Sequence, residues 1–329
     1  MCLLYDTYSP KQTSPAHNRA AAGMVFSLRN SIFALAMSFH FKIAERPEKA
    51  LRRVCRKHID EVQARLRKSQ PPASIHGVRK EIKKLRALFQ LVRGEIGRAA
   101  YRRAAKGLQR VASQLAATRD ARVRLNALAQ LVGRDAARRF PVIHKALLKD
   151  CRRESRRFRD NDSVALAKRV LRKTGKRVAD LKFKASGWAA IEPGLQQSYC
   201  RGQQAGKLAR LEPSPEHLHK WRKQVKILWH QLRLICPKWS GPRRALLHQL
   251  EQLGELLGDE HDLVLLEQSV AECAPVAEMA GLKPLIAARQ KKLRIAALKL
   301  GSRVYAKSPA NISRQLGKSW HAWHDQNRK

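Results

Sequence analysis

Two stretches of this chain, 143 residues apart (76 to 219), repeat one unusual pattern. The first is His76-Gly77-Val78-Arg79-Lys80-Glu81-Ile82-Lys83-Lys84-Leu85-Arg86, and the second His219-Lys220-Trp221-Arg222-Lys223-Gln224-Val225-Lys226-Ile227-Leu228-Trp229. Their apolar positions coincide: Ile75, Val78, Ile82, Leu85, Phe89 and Val92 in one copy, Leu218, Trp221, Val225, Leu228, Leu232 and Ile235 in the other. Alternating steps of three and four residues put each set on one side of an α-helix, so each copy predicts an amphipathic helix that must bury that side against other helices. A separate stripe of His, Arg and Lys runs beside the apolar one, on the order of 15 Å long at 1.5 Å per residue. The duplication points to two pseudo-equivalent helical halves presenting cations to one elongated polyanion.

A second matched block strengthens this. Leu115 to Val123, with Arg119 and Asp120, aligns with Leu257 to Leu265, with His261 and Asp262, at an offset of 142 (119 to 261). Two matched blocks in the same order favour duplicated bundles over chance similarity. The copies differ at the far end of the stripe, where Trp229 stands in the place of Arg86. The second half therefore offers one cation fewer there, with Arg233 one turn further on as a substitute and Trp229 as a packing residue. The copy at His76, which keeps Arg86 and adds Lys84, is expected to bind more strongly.

The rest of the chain reads as helix. Pro47 opens a segment through Lys68, Pro71-Pro72 breaks the chain, and Gly94 and Gly97 bracket a turn before helices over 98–118 and 119–132. With the repeated helix at His76 these make four, which predict an antiparallel bundle. A very basic helical stretch over 141–185 links the halves. Then come a helix near 195–210, a start at Ser214-Pro215, where Ser caps and Pro suits the first turn, the repeated helix, a turn at 237–242, and helices over 243–257 and 281–300. No stretch shows β alternation. The fold class is all-α: two pseudo-symmetric antiparallel four-helix bundles around a basic central cavity. The first bundle with its linking helix takes 41–185, the second 186–315, and 316–329 is a basic tail whose Trp320, His321, Trp323 and His324 have no assigned place. Residues 1–40 read as a disordered extension or as sequence ahead of the true start, with Met24 and Met37 as alternative starts.

Charge sets the class of partner. With 68 Lys+Arg against 26 Asp+Glu, a formal +42, self-repulsion opposes compaction unless anions offset it. A disordered basic tail is excluded, because 44% of the 329 residues are hydrophobic, enough for one large or two modest cores. Six scattered cysteines without CxxC spacing suit a reduced cytoplasmic protein. The run Met24 to Phe41 contains Arg29, Asn30 and His40, a poor export signal and a poor membrane span, so no membrane partner is expected.

At these residues the chain resembles the CHAD domains, a family named for conserved histidines in an α-helical domain. The likeness rests on His76-x-x-Arg79-Lys80-x-x-Lys83-x-Leu85-Arg86, on His219-x-x-Arg222-Lys223-x-x-Lys226-x-Leu228, on Arg119-Asp120, and on Leu257-Gly258-Asp259-Glu260-His261-Asp262-Leu263, and covers roughly residues 40–315. It implies paired four-helix bundles whose basic faces line a cavity for inorganic polyphosphate, in several bacteria on storage granules. Some members are fused to a triphosphatase-like tunnel domain with an ExExK signature, and this chain has no such signature. The resemblance thus implies polyphosphate as partner, polyphosphate-metabolising enzymes as a second class of partner, and no cofactor.

The binding residues it points to are His76, Arg79, Lys80, Lys83, Arg86 and Arg119, with His219, Arg222, Lys223, Lys226 and Arg233. Chemistry agrees: Arg forks onto phosphate oxygens and Lys supplies a mobile point charge. A histidine near a helix start meets free N–H groups, and a bound phosphate would raise its pKa. Asp120 and Asp262 are expected to orient cations, and His58, His144, His230 and His248 to be surface or core-edge residues. Three other readings stand beside this one. A charged stripe is commonly a solvated face. A nucleic-acid binder fits the charge, although aromatics are only 6% and no zinc-finger spacing occurs. A metal-dependent phosphohydrolase would use Glu251, Glu255, Asp259, Glu260 and Asp262 with His248 and His261. Its only motif is a His-Asp dipeptide, and no P-loop, GxSxG or HExxH motif is present.

Overall fold

Proline and glycine punctuation sets the helix boundaries. The computed structural model describes residues 39–42, 45–68, 73–160, 163–235, 239–271 and 274–325. Twelve α-helices lie within them: α1 (Pro47–Lys68), α2 (Ala73–Leu91), α3 (Arg93–Gln114), α4 (Ala116–Val132), α5 (Ala136–Arg139), α6 (Pro141–Asp160), α7 (Ser163–Ala179), α8 (Glu192–Leu211), α9 (Pro215–Ile235), α10 (Gly241–Val270), α11 (Val276–Val304) and α12 (Pro309–Asp325). Among the described residues there is no strand. The start at Ser214-Pro215 is built as expected, with the His217 amide donating to Ser214 Oγ at 3.2 Å. The turn at Gly97 is a backbone break with φ 75°, which only glycine adopts cheaply. The N-terminal extension up to residue 38, with Met24 and Met37, lies outside the described residues, as does Pro71-Pro72.

The repeated segments, α2 with Val92 just beyond it and α9, bury every apolar position of the three-four register, from Ile75 to Val92 and from Leu218 to Ile235. In the second copy Trp221 fills a slot only glycines leave open. A Cβ on Gly301 would stand 2.3 Å from the indole and one on Gly206 3.0 Å.

Packing sorts the helices into two rings, α1, α2, α3 and α7 on one side and α8, α9, α10 and α11 on the other, with α2 against α9 where the rings meet. The first ring differs from the expected set of four consecutive helices. Helix α7 closes it, while α4 packs on α6 and on α10 of the other ring. The cause is the apolar side of α4, where Ala127 and Leu128 share a core with Phe140, Ile143 and Leu147 and with Leu263, Leu266, Val270, Leu282, Ile286 and Leu293. That core belongs to both sequence halves. The Glu278 carboxylate of α11 also accepts the Val142 and Ile143 amides at 3.0 Å, capping α6 from the other half.

The stretch read as a basic tail from 316 continues α12, which packs on α8. Trp320 is buried 6.0 Å from Trp188 and 3.9 Å from His324 between ring centroids. Among the described residues no helix is long and apolar enough to cross a membrane.

Candidate functional site

Because α2 and α9 bury their apolar sides and pack against each other, their cationic stripes come to one place. There they wall a cavity of about 350 Å³. Arg79, Lys83 and Arg86 enter it from α2, and His219, Arg222, Lys223 and Lys226 from α9. The start of α4 adds Arg119 and Asp120, α3 closes one side with Gln109, Ala112 and Ser113, and His230 and His261 complete the wall.

Of the eleven residues singled out in the sequence, His76, Lys80 and Arg233 do not line this cavity. The first two are exposed on α2. Arg233 is held elsewhere, its guanidinium 4.7 Å from the ring centroid of buried Trp229, with Lys226 Nζ 4.5 Å from the same ring. Trp229 thus gathers two cations in place of being one. Lys84, counted above as an extra cation, is buried away from the cavity and donates to Glu81 at 3.1 Å. His58 is buried on the same carboxylate, Nδ1 to Oε2 at 2.5 Å, so it is a core residue rather than a core-edge one. His230, also expected at the edge, is buried at the cavity wall.

Small residues on the neighbouring helices let the cations lie down. A Cβ on Gly258 would stand 3.0 Å from Arg222 Nη2, and one on Gly254 2.7 Å from Lys226 Cδ. Their counterparts at the 142-residue offset are Ala116 and Ala112, both in the cavity wall, and Arg79 Nη1 donates to the Ala112 carbonyl at 3.0 Å. Arg119 is fixed between the two repeated aspartates, at 2.8 Å from Asp120 and 3.1 Å from Asp262, which orients a cation as expected.

Packing so many cations together depresses their proton affinity. Burial first, then Arg222, Arg79, Arg119 and Lys226, lower the Lys83 pKa to about 7. Lys83 is exposed on the cavity side, so water there moderates the shift without changing its sign. Arg79, Arg222, Lys223 and Lys226 are lowered as well, in each case by burial first. The His219 and His261 rings stack with centroids 4.0 Å apart. Burial and the surrounding cations bring His219 to about 4 and His261 to about 3. Burial also drives His230 well below its ordinary value, and His76 is lowered too. These shifts favour the neutral forms of His219 and His261 at pH 7, and a bound anion would favour their protonated forms. His219 Nδ1 and Arg222 Nε are buried without a hydrogen-bond partner, a cost a ligand would relieve.

The acidic cluster behaves differently from a metal site. Glu260 is buried against Arg294 at 2.7 Å, His261 stacks on His219, and Asp262 holds Arg119. Among the described residues no group of three or more His, Cys, Asp or Glu is placed to hold a metal ion. The Ser113 hydroxyl donates to the Arg110 carbonyl at 3.0 Å. His261 was missed as a site residue because it lies outside the stripes, although the 142-residue offset pairs it with Arg119; His230 carried a signal, standing four residues after Lys226 and three before Arg233 in the stripe itself.

The CHAD domain family model matches residues 50–271. The crystal structure of the CHAD domain from the plant Ricinus communis is similar in fold, with a TM-score of 0.57 and 18% sequence identity over 87% of this chain and 95% of that one. No curated protein matches the sequence.

Proposed function

Because this chain belongs to the CHAD family, we propose that its cavity binds inorganic polyphosphate without converting it, and that the two helix rings are duplicated four-helix bundles serving that one site. The observation that carries this reading is the convergence of cations from both repeated helices, with Arg119 between them, on a single cavity. A compact monoanion would meet one stripe, whereas a linear chain of phosphates meets both.

Two features favour polyphosphate over nucleic acid. The described cavity wall offers no Phe, Tyr or Trp on which bases would stack, and its volume suits a thin chain better than one carrying sugars and bases. Lack of conversion is supported by the wall itself. Its serine hydroxyl is engaged with a backbone carbonyl, and its aspartate is engaged with Arg119. Binding of this kind would hold the protein on polyphosphate granules in the cytoplasm and place it beside enzymes that make or degrade the polymer.

Competition tests the reading. Long-chain polyphosphate should displace DNA at equal phosphate concentration, with log affinity falling linearly in log salt. DNA that binds as tightly and resists displacement would sink it. Chain length on a gel should be unchanged after incubation with the protein and divalent cations; shortening would show catalysis.

A further inference from the structure

Helix α3 has a second cationic side, about a quarter-turn round the helix from the residues that line the cavity. Its cavity side carries Gln109, Ala112 and Ser113. The second side carries Arg103, Lys106 and Arg110, and these face Arg169, Lys173 and Arg177 of α7 across a groove of about 310 Å³. Each row has steps of three or four residues, so each runs about 10–12 Å along its helix. The rows stay close because the helices touch at Gly107: a Cβ there would stand 3.1 Å from Val170 Cγ1. Gly107, Val170 and Thr174 form the floor, with the Thr174 hydroxyl turned back to the Val170 carbonyl at 2.9 Å. No carboxylate lines this groove, and among the described residues none of its six cations has an ion pair.

We propose that this α3/α7 groove is a second polyphosphate site, independent of the cavity, so that one molecule holds two segments of a long chain or two short chains. The choice of occupant follows from shape and chemistry. Two rows of cations flanking a narrow trough fit a single file of phosphates, each reached from both sides. A nucleic-acid duplex about 20 Å across cannot enter a trough between two packed helices, whose axes lie about 8–10 Å apart. A single strand of nucleic acid would call for stacking rings, and the described lining has no aromatic side chain. An acidic protein helix would need an apolar strip, and the apolar side chains of the lining are chiefly Val170 and Leu166.

Placement gives the second site a consequence. Cavity and groove lie about a quarter-turn apart on one helix, so a chain leaving the cavity reaches the groove by passing round α3. The second contact is then intramolecular, and long chains gain affinity over short ones by avidity alone.

The identity of the ligand rests on the function proposed above, and the test separates the two. Calorimetric titration at low salt with chains of about ten phosphates should saturate at two per protein. Lys106→Glu with Lys173→Glu, both exposed, should reduce this to one, leave the remaining site's affinity unchanged, and erase about a hundredfold of the preference for long chains. Lys83→Glu with Lys223→Glu should remove the other chain and spare the groove. Saturation at one chain in the wild type, or a length preference untouched by the groove reversal, overturns the second site. Retention of both chains after the cavity reversal would instead count against the cavity. If duplex DNA displaces only the groove-bound chain, and does so at lower phosphate concentration, the groove is a nucleic-acid surface and the proposal fails. Helical circular dichroism identifies any variant that has not folded, and charge removal at the same positions (Lys→Gln) then replaces it.

Discussion

The two copies of the repeated helix start from nearly the same residues and reach the cavity in different ways. In α2 the cationic stripe is complete, yet His76 and Lys80 remain on the exposed surface and Lys84 turns inward to Glu81. In α9 the stripe is interrupted by Trp229, yet His219, Arg222, Lys223 and Lys226 all face the cavity. The longer row of cations is therefore not the larger contribution to the wall. Gly254 and Gly258 of α10 give Lys226 and Arg222 room to lie down, yet their counterparts Lys83 and Arg79 reach the cavity beside Ala112 and Ala116 as well. The copies therefore differ in His219 and Lys223, which line the wall where His76 and Lys80 do not. Trp229, an apparent loss, holds Lys226 and Arg233 by their positive charge.

Charge reversal should produce the largest effect. Lys223→Glu with Lys226→Glu is expected to weaken polyphosphate binding by about 10²–10³-fold, since contacts to charged groups contribute about 1.5–3 kcal/mol each. Lys83→Glu with Arg86→Glu should match it within tenfold. A much greater loss from the α2 pair would restore the view, drawn from the stripes alone, that the His76 copy dominates. Equal losses from reversing two exposed lysines remote from both cavity and groove, such as Lys299 with Lys318, would mean diffuse attraction.

Protonation separates the copies next. Burial and the neighbouring cations lower Lys83 from an ordinary 10.5 toward about 7, and a bound anion moves it back up, so binding takes up a proton above neutrality. Affinity should then fall as pH rises from about 7 toward 10.5, and Lys83→Arg should flatten that slope. Calorimetry at pH 8 in buffers of different ionisation enthalpy counts the proton directly. The α9 side responds at lower pH. His219 has a folded pKa of about 4 against 6.5, so as pH falls through that window the unfolded chain binds the proton first and the empty fold loses stability. Polyphosphate should offset that loss. A Tm in its presence that falls between pH 6.5 and 4 as steeply as the free protein's would place His219 outside the ligand's reach.

The smallest effect tests the glycine bed. Gly254→Ala adds a methyl 2.7 Å from Lys226 Cδ, a flexible side chain that can move aside. Affinity should drop a few-fold while the helix gains about 0.5–1 kcal/mol from the better helix former. Ala112→Gly should do the reverse in stability and leave affinity nearly unchanged. If both substitutions act alike, the asymmetry between α10 and α3 has no bearing on binding.

Much of this was legible in the sequence because one physical signal repeats. The register from Ile75 to Val92 and from Leu218 to Ile235 determined which side of each helix is buried, and with it the direction of the stripes. Ser214-Pro215 marked a helix start for a local reason, and the start is there. Periodicity says which side of a helix is apolar and nothing about which helix will cover it. The exchange of α4 for α7 in the first ring was therefore not legible, and neither was the burial of Lys84 in place of a cavity role. His261 enters the cavity from α10 as its counterpart Arg119 does from α4, although α10 runs unbroken where α3 and α4 are separate helices meeting at Leu115.

The core around Phe140, Leu263 and Leu282 has a further consequence for how this chain is made. During synthesis α4 and α6 emerge well before α10 and α11 exist to cover them. The first half must wait with Leu128, Phe140, Ile143 and Leu147 bare, and cooperative folding has to be late and global. Cut between Ala185 and Ser186, the chain would yield two pieces that each expose half of a core, and they should recover the native helix packing only as complementing fragments mixed together.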